Sequence, residues 1–312
     1  MRNDEIFAHV KHRDELLNDG VSDATLSSKV RKGELHRLRP GVYCDEQWWS
    51  ALKYYEQYRA HIIAVFLASP ETIFTHLAAA TLHGLAILNV PELVDVHTRV
   101  QSRGRGKLVR KHYSSTPVPS VQTHESGLKA TSVIRTVIDC ARFLPHKDAV
   151  VVADSALNQG LVSYDVLAAA LQQVSGWGYV KCRRVAEIMS SHAESPGETL
   201  LRLILVGAGL PWPDEQIQVE VRGKSFRIDL GYKHLKIALE FDGNIKYTEF
   251  GTQVNQENLE RYRESLLQNE GWMFRRYRWA DVRQRPHQIV KEIKRVIEQQ
   301  QRVYGAKAKQ PA

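Results

Sequence analysis

The stretch 226–246, FRIDLGYKHLKIALEFDGNIK, constrains the fold of this chain more than any other. Phe226, Ile228 and Leu230 alternate with Arg227 and Asp229, then Leu235, Ile237, Leu239 and Phe241 alternate with Lys236, Ala238, Glu240 and Asp242. A period of two puts successive side chains on opposite faces of an extended strand, so the spacing predicts two half-buried strands with a turn at 231–234. With the apolar positions turned to the core, Asp229, Glu240 and Asp242 leave together by the other face. Carboxylates this close raise one another's pKa unless a cation sits among them. Their oxygens suit a hard divalent ion such as Mg²⁺ or Mn²⁺, which one or two carboxylates hold together with water and phosphate. Lys246, just past the Asp242-Gly243 turn, is placed to stabilise charge on a reacting phosphate. The alternative is a strand pair with a polar, solvated outer face.

A length of 312 residues predicts two domains or three, each with its own core. The formal charge is +8, with Lys and Arg spread along the chain, which favours a polyanionic partner such as nucleic acid over a membrane. Cys44, Cys140 and Cys182 are odd in number, far apart and without C-x-x-C spacing, which argues against a disulfide framework or a thiolate zinc site. No apolar segment follows the first charged residues, and the apolar run 62–68 is too short to span a bilayer. The expectation is a soluble protein of the reducing cytoplasm.

Residues 4–50 read as a small helical unit closed by a hairpin. One helix at 4–17 carries Ile6, Val10, Leu16 and Leu17, and Asn18-Asp19-Gly20 breaks it. Ser22 caps a second helix with Ala24, Leu26 and Val30, ended by Gly33. This is the helix-turn-helix pattern, and the basic alternation around Pro40-Gly41 would serve as a wing. Ser28, Lys29 and Arg31, with Ser27 and Lys32, then face a DNA groove, and Arg37 and Arg39 lie near phosphate. A helical hairpin serving only for packing is the alternative.

Residues 51–190 read as a mostly helical extension, with helices at 48–68, 75–84, 131–143 and within 148–173, and one strand at 93–100. His76 and His83 share a helix face, and without a third ligand at metal spacing they are read as packing or polar-contact residues. Arg99, Arg103, Arg105, Lys107, Arg110 and Lys111 form a basic run with no acid among them. That run is either a solvated loop or a phosphate-contacting one, the latter through Arg103 and Arg105. A domain boundary falls at 190–197. Ser195-Pro196-Gly197-Glu198 is a capping box with Pro at the first helical position, so Glu198 is either a cap or a fourth carboxylate for the patch. Beyond it come a helix at 198–207, a strand at 217–221, the central hairpin, a polar helix at 255–269, a strand at 272–279 with Arg275, Arg276 and Arg278, and a helix at 286–300. Residues 303–312 read as a disordered tail. The domain layout is thus 1–50, 51–190 and 191–302.

Two resemblances follow from these residues. From about 195 to 300, Glu198, Asp229, Glu240-x-Asp242-Gly243, Arg261 or Arg263, Gly271-Trp272 and Arg276-Tyr277-x-Trp279 resemble the domain family of unknown function numbered 559. That family is similar to very-short-patch-repair endonucleases of the PD-(D/E)xK superfamily. The resemblance implies an α/β restriction-endonuclease-like domain, a mixed sheet flanked by helices, that hydrolyses phosphodiesters with Mg²⁺ or Mn²⁺. By the same resemblance Asp229 and Glu240 bind the metal and Glu198 assists through the metal or a water. Asp242 stands where that superfamily carries a lysine, and Lys246 or Lys236 would substitute.

The earlier part, with Leu38-Arg39-Pro40-Gly41-Val42-Tyr43, His76-Leu77-Ala78-Ala79-Ala80-x-Leu82-His83-Gly84-Leu85 and Arg135-Thr136-Val137-x-Asp139, resembles AbiEi-type antitoxins of abortive-infection systems. Those are winged-helix DNA-binding regulators, and the whole arrangement resembles actinobacterial chains that fuse such a module to a nuclease-like one. The expectation is a DNA-binding, metal-dependent endonuclease of phage defence or DNA repair whose Arg275 and Arg276 grip the backbone. Its expected partners are DNA, a cognate toxin and a second copy of the chain, with no membrane. The alternatives are a non-catalytic antitoxin or repressor, and cleavage of RNA in place of DNA.

Overall fold

A computed structural model describes residues 3–100, 108–114, 120–124, 126–243 and 253–304. Of the sequence candidates, Lys246, Arg103 and Arg105 lie outside the described residues, as does the expected tail from 305 onward; Val303 and Tyr304 are helical. The chain divides into two compact units, Met1–Val152 with Leu161–Glu187, and Ala153–Gly160 with Ile188–Ala312.

In the first unit, α1 (Asn3–Phe7), β1 (Lys11–His12), α2 (Arg13–Asn18), α3 (Asp23–Arg31), β2 (Leu35–Arg39) and β3 (Val42–Asp45) build a three-stranded antiparallel sheet of order β1-β3-β2 with helices beside it. The single helix expected at 4–17 is interrupted because Lys11 and His12 are drawn into pairing with Tyr43 and Val42. His12 then caps α2 by accepting the amide of Asp14, and Ser22 caps α3 by accepting that of Thr25. Next come α4 (Glu46–Ala51) and α5 (Tyr54–Ala68), broken at Leu52-Lys53 where Glu56 takes the Lys53 amide at 3.0 Å. Ile6, Val10, Leu38, Val42 and Cys44 close one core with Ala60, Ile63 and Ala64 of α5.

The segment expected to be mostly helical also contains a five-stranded sheet. After β4 (Ile73–Phe74) and α6 (His76–Leu82) come β5 (Val94–Thr98), β6 (Val109–Tyr113), β7 (Val121–Thr123) and β8 (Lys129–Thr131), in the order β6-β5-β4-β8-β7. The sheet is mixed, with β5–β6 and β4–β8 parallel. Strands this short carry too few residues to display a period. Part of the basic run folds into β6, where Arg110 and His112 reach the fully buried Asp95 on β5. Helices α7 (Val133–Phe143), α8 (His146–Asn158), α9 (Tyr164–Gln172) and α10 (Tyr179–Ile188) follow.

The second unit is α/β. Its elements are α11 (Pro196–Gly207), β9 (Asp214–Val221), β10 (Lys224–Tyr232), a 3₁₀ turn (Lys233–Leu235), β11 (Ile237–Phe241), α12 (Gln253–Asn269), β12 (Met273–Tyr277), α13 (Trp279–Gln284) and α14 (Pro286–Tyr304). The four strands form a mixed sheet of order β12-β11-β10-β9, with β11 and β12 parallel and the other neighbours antiparallel. The hairpin turn lies two residues later than its sequence suggests. Gly231 and Tyr232 stay in β10, and Lys236 takes a left-handed backbone to enter β11. A Cβ at Gly231 would run into the carbonyl of Ile237, so the two strands approach this closely only with glycine there.

Every residue of β11 is buried, because it lies between β10 and β12 and packs against α11 and α14. The strand expected to be half-buried is thus buried on both faces, and the solvated outer face of the alternative reading is absent from it. Leu266 and Leu267 of α12 join Ile217, Val221, Ile228, Ala238, Trp272 and Phe274 in one core cluster, each buried Leu contributing about 1.5–3 kcal/mol. The second unit also encloses an ion pair. Arg202 has no exposed surface; its Nη2 meets Asp154 Oδ2, and Asp154 further accepts Ser190 N and Thr199 Oγ1, each at 2.8 Å. Burial pushes the Asp154 carboxyl up to about 6, against the pull of Arg202.

Candidate functional site

Three elements of the second unit bring acids together. The antiparallel register that pairs Leu230 with Leu239 sets Asp229 across from Glu240 at the next step. Just beyond the ladder, Asp229 Oδ2 accepts the backbone N–H of Phe241 at 3.1 Å, which ties the carboxylate to the end of β11. The first turn of α11 supplies the third acid. Its N-cap is Ser195, with Pro196 inside the first turn. A Cβ at Gly197 would collide with the ring of Phe241, so glycine lets the helix start directly on the end of the strand.

Glu198 is both the cap and a member of the acid group. Its Oε1 accepts Ser195 Oγ at 2.7 Å, its Oε2 accepts the Glu194 amide at 2.9 Å and Gln216 Nε2 at 3.2 Å, and Asp229 acts on its charge. Ser195 Oγ caps the helix by accepting the Glu198 amide, but the Glu198 carboxylate takes the amide of Glu194 and not that of Ser195 as the expected capping box requires, and these bonds hold it in place.

Burial raises the pKa of all three acids. For Glu198, hydrogen bonds from Glu194 N and Ser195 Oγ oppose the rise, and the charges of Asp229 and Glu194 add to it. For Asp229, the Phe241 amide, Arg263 and Arg227 oppose it and Glu194 adds to it. For Glu240, Arg263 and Arg276 oppose it and Asp229 adds to it. Desolvation of the charged form is the leading cause in each case.

Arginines thread between the acids. Glu240 accepts Arg263 Nη2 at 2.7 Å and Arg276 Nε at 2.9 Å. Arg276 also pairs with Glu264 at 3.2 Å, and Arg263 donates to the carbonyl of Arg227. Arg227 grips Glu194 through two bonds of 2.7 and 2.8 Å. Glu194, Arg227 and Gln216 were not singled out from sequence; Glu194 sits in a polar run and Arg227 in the outward phase of the strand, positions that look like solvated surface.

The remaining candidates are placed differently. Asp242 lies past the end of β11, its amide on Tyr277 O at 2.9 Å and its carboxylate 3.2 Å from Arg278 Nε. Lys236, offered from sequence as a substitute lysine, stands at the opposite end of β11, where its Nζ meets the carbonyl of Glu270. Four residues of strand, about 13 Å, separate it from Glu240. Arg275 is paired with Glu292, and Arg276 turns inward to Glu240. In the first unit, Ser28, Lys29 and Arg31 lie on α3, with Arg31 and, on β2, Arg37 exposed. Arg39 is half-buried, its Nε and Nη1 enclosed without a hydrogen-bond partner among the described residues. His76 and His83 make polar contacts, with Thr75 Oγ1 and the carbonyl of Thr131 respectively.

The donor chemistry fits a hard divalent cation, with a limit on how it would be held. Among the described residues, no three His, Cys, Asp or Glu side chains group closely enough to enclose an ion. Asp229 and Glu240 as a pair, with water and phosphate completing the shell, match the manner in which Mg²⁺ is commonly bound.

No protein-family model matches the chain. Over 175 residues it is 26% identical to the uncharacterized protein Rv2248 of Mycobacterium tuberculosis H37Rv and, equally, to the uncharacterized protein MT2308 of strain CDC 1551. The match covers 55% of this chain and 63% of each relative, so the chain spans less than two thirds of their length.

Proposed function

We propose that the second unit is a restriction-endonuclease-like domain that hydrolyses phosphodiester bonds in DNA with Mg²⁺ or Mn²⁺, and that α2, α3 and the β2–β3 hairpin form a winged helix-turn-helix that binds DNA. The observation that carries the nuclease reading is the convergence of Asp229, Glu240 and Glu198 from two neighbouring strands and a helix start, Glu198 and Glu240 buried and Asp229 partly so, each held above its ordinary pKa. Acids are kept in so costly an arrangement when a cation is to share it. In this reading Asp229 and Glu240 hold the ion, which when bound lowers the pKa of its water and neutralises phosphate charge. Glu198 orients a water beside Asp229, and Arg263 and Arg276 fix the direction of Glu240. Support for the DNA-binding reading is the order of elements in residues 3–45 and the exposed cations of α3 and β2, Arg31 and Arg37.

A second reading draws on one specific observation, the pairing of Glu240 with two arginines, which satisfies that carboxylate without metal. On it the unit is a nuclease fold used only for binding, and the protein is an antitoxin or repressor that pairs with a cognate toxin. Incubation of supercoiled plasmid with the full chain and Mg²⁺ or Mn²⁺ separates the two. The nuclease reading expects nicked or linear product and a loss of at least about 100-fold in Asp229→Asn and Glu240→Gln. No product in either metal across several DNA substrates rejects it in favour of the repressor.

A further inference from the structure

The first unit holds a pocket of about 160 Å³ to which the nuclease and winged-helix readings assign nothing. Its lining includes Thr75, His76, His97, His112 and Thr131, the ion-paired Arg135 and Asp139, and Arg142 and Trp177. Two of the motifs singled out in the sequence, around His76 and around Arg135 and Asp139, thus meet at one place.

The lining is built. Asp95, fully buried, accepts His112 Nε2 at 2.7 Å and two bonds from Arg110, which fixes the His112 ring. His76 stacks on that ring at 3.7 Å, and its backbone is left-handed, φ 48°, a conformation rarely adopted by a residue with a side chain. Arg135 donates to Asp139 at 2.8 Å and Arg142 to the carbonyl of Ser175 at 2.9 Å. A guanidinium carries five N–H donors in a planar fork, so these bonds leave both arginines with donating capacity at the pocket. His97 Nε2 is enclosed with no hydrogen-bond partner among the described residues. Burial pushes His76 down to about 3 and also lowers His97.

Arginine forks, imidazole nitrogens and threonine hydroxyls around a small space are the chemistry that receives a phosphate. The volume is well under the roughly 300 Å³ at which pockets begin to enclose a whole small molecule, so the rest of the ligand must lie outside. At the rim stands Trp177, 70% exposed, a flat apolar surface of the kind on which nucleobases stack.

We propose that this pocket binds the phosphate of a nucleotide through Arg135 and Arg142, with the base stacked on Trp177. A free nucleoside monophosphate and the 5′-phosphorylated end of a nucleic-acid strand present the same group. Titration calorimetry on the full chain distinguishes them. The probes are the four nucleoside 5′-monophosphates, adenosine, inorganic phosphate, and a short oligonucleotide with and without a 5′-phosphate. The expected result is binding of at least one monophosphate, or of the oligonucleotide in preference to its 5′-hydroxyl form, the first identifying a free nucleotide and the second a strand end. Adenosine binds at least about 10-fold more weakly than AMP, and Trp177→Ala, at an exposed position, weakens the bound probe by about 10-fold. Arg142→Gln, with its folding checked by circular dichroism, does the same. The proposal is overturned if no phosphorylated probe binds at millimolar concentration, if adenosine equals AMP, if only inorganic phosphate binds, or if both variants bind as the native chain does.

Discussion

Glu240 and Arg276 stand directly opposite each other on the parallel strands β11 and β12, and Arg276 Nε donates to Glu240 Oε2 at 2.9 Å. With Arg263 on the other oxygen, the acid proposed to hold metal is already partly neutralised. A divalent ion at Asp229 would have to share Glu240 with a guanidinium, and the variants below separate these contributions.

Replacing Arg263 by Gln removes one of the two cations from a buried carboxylate. In metal-free buffer the loss is expected to be about 1–3 kcal/mol, the usual cost of an under-compensated buried group. Mn²⁺ should then raise the melting temperature of the variant more than that of the native chain, since the ion replaces the missing charge. Equal shifts in the two melting curves would mean that no ion binds near Glu240.

Asp229→Asn separates stability from activity. Asp229 has a raised folded-state pKa, so the folded state takes up a proton more readily than the unfolded one. Its favourable contribution is complete below the unfolded pKa near 4 and is lost as pH rises through the folded value. Asn carries no such loss. At pH 7.5 without metal the variant is therefore expected to melt above the native chain, with the gap closing toward pH 4. A variant that melts well below the native chain at pH 7.5 would show that the charge is compensated without metal.

The Asp154–Arg202 pair is expected to be a stability determinant of the second unit alone. Arg202→Met leaves Asp154 buried beside Ser190 and Thr199 without its cation, at a cost of about 3–5 kcal/mol. Because the raised pKa of Asp154 lets it take a proton, the penalty should be smaller at pH 5 than at pH 8. Denaturant unfolding at the two pH values measures both, and equal penalties would refute the second.

If α3 contacts phosphate, replacing both Lys29 and Arg31 by Ala should lower the slope of log K against log salt by about 2 for binding to duplex DNA. Arg31 is exposed and Lys29 only partly buried, so the melting temperature should hardly move. An unchanged slope removes α3 from the interface.

Where sequence and structure agree, the signal is local. The alternation in 226–230 and 237–241 is visible because side-chain direction follows directly from strand geometry, and it carries Asp229 and Glu240 to the same place. Ser195-Pro196-Gly197-Glu198 likewise marks a helix start, with Ser195 as the N-cap and Pro196 in the first turn, since capping involves near neighbours, although Glu198 takes the amide of Glu194 and not that of Ser195. What the residues do not display is which strand will lie inside a sheet. The burial of β11 is completed by β12, more than thirty residues away, and of the arginines that hold Glu240, Arg276 comes from β12 and Arg263 from α12. Short strands such as β4 and β8 were hidden for the same reason, as their pairing partners, rather than their own composition, make them strands.

The most direct measurement is a crystal of the full chain soaked in Mn²⁺, with anomalous scattering used to locate the ion. The expected result is an anomalous peak within about 2.0–2.4 Å of oxygens from both Asp229 and Glu240, absent in Asp229→Asn. Two carboxylates in the same place with no peak between them, at manganese concentrations that saturate known sites, would contradict the account.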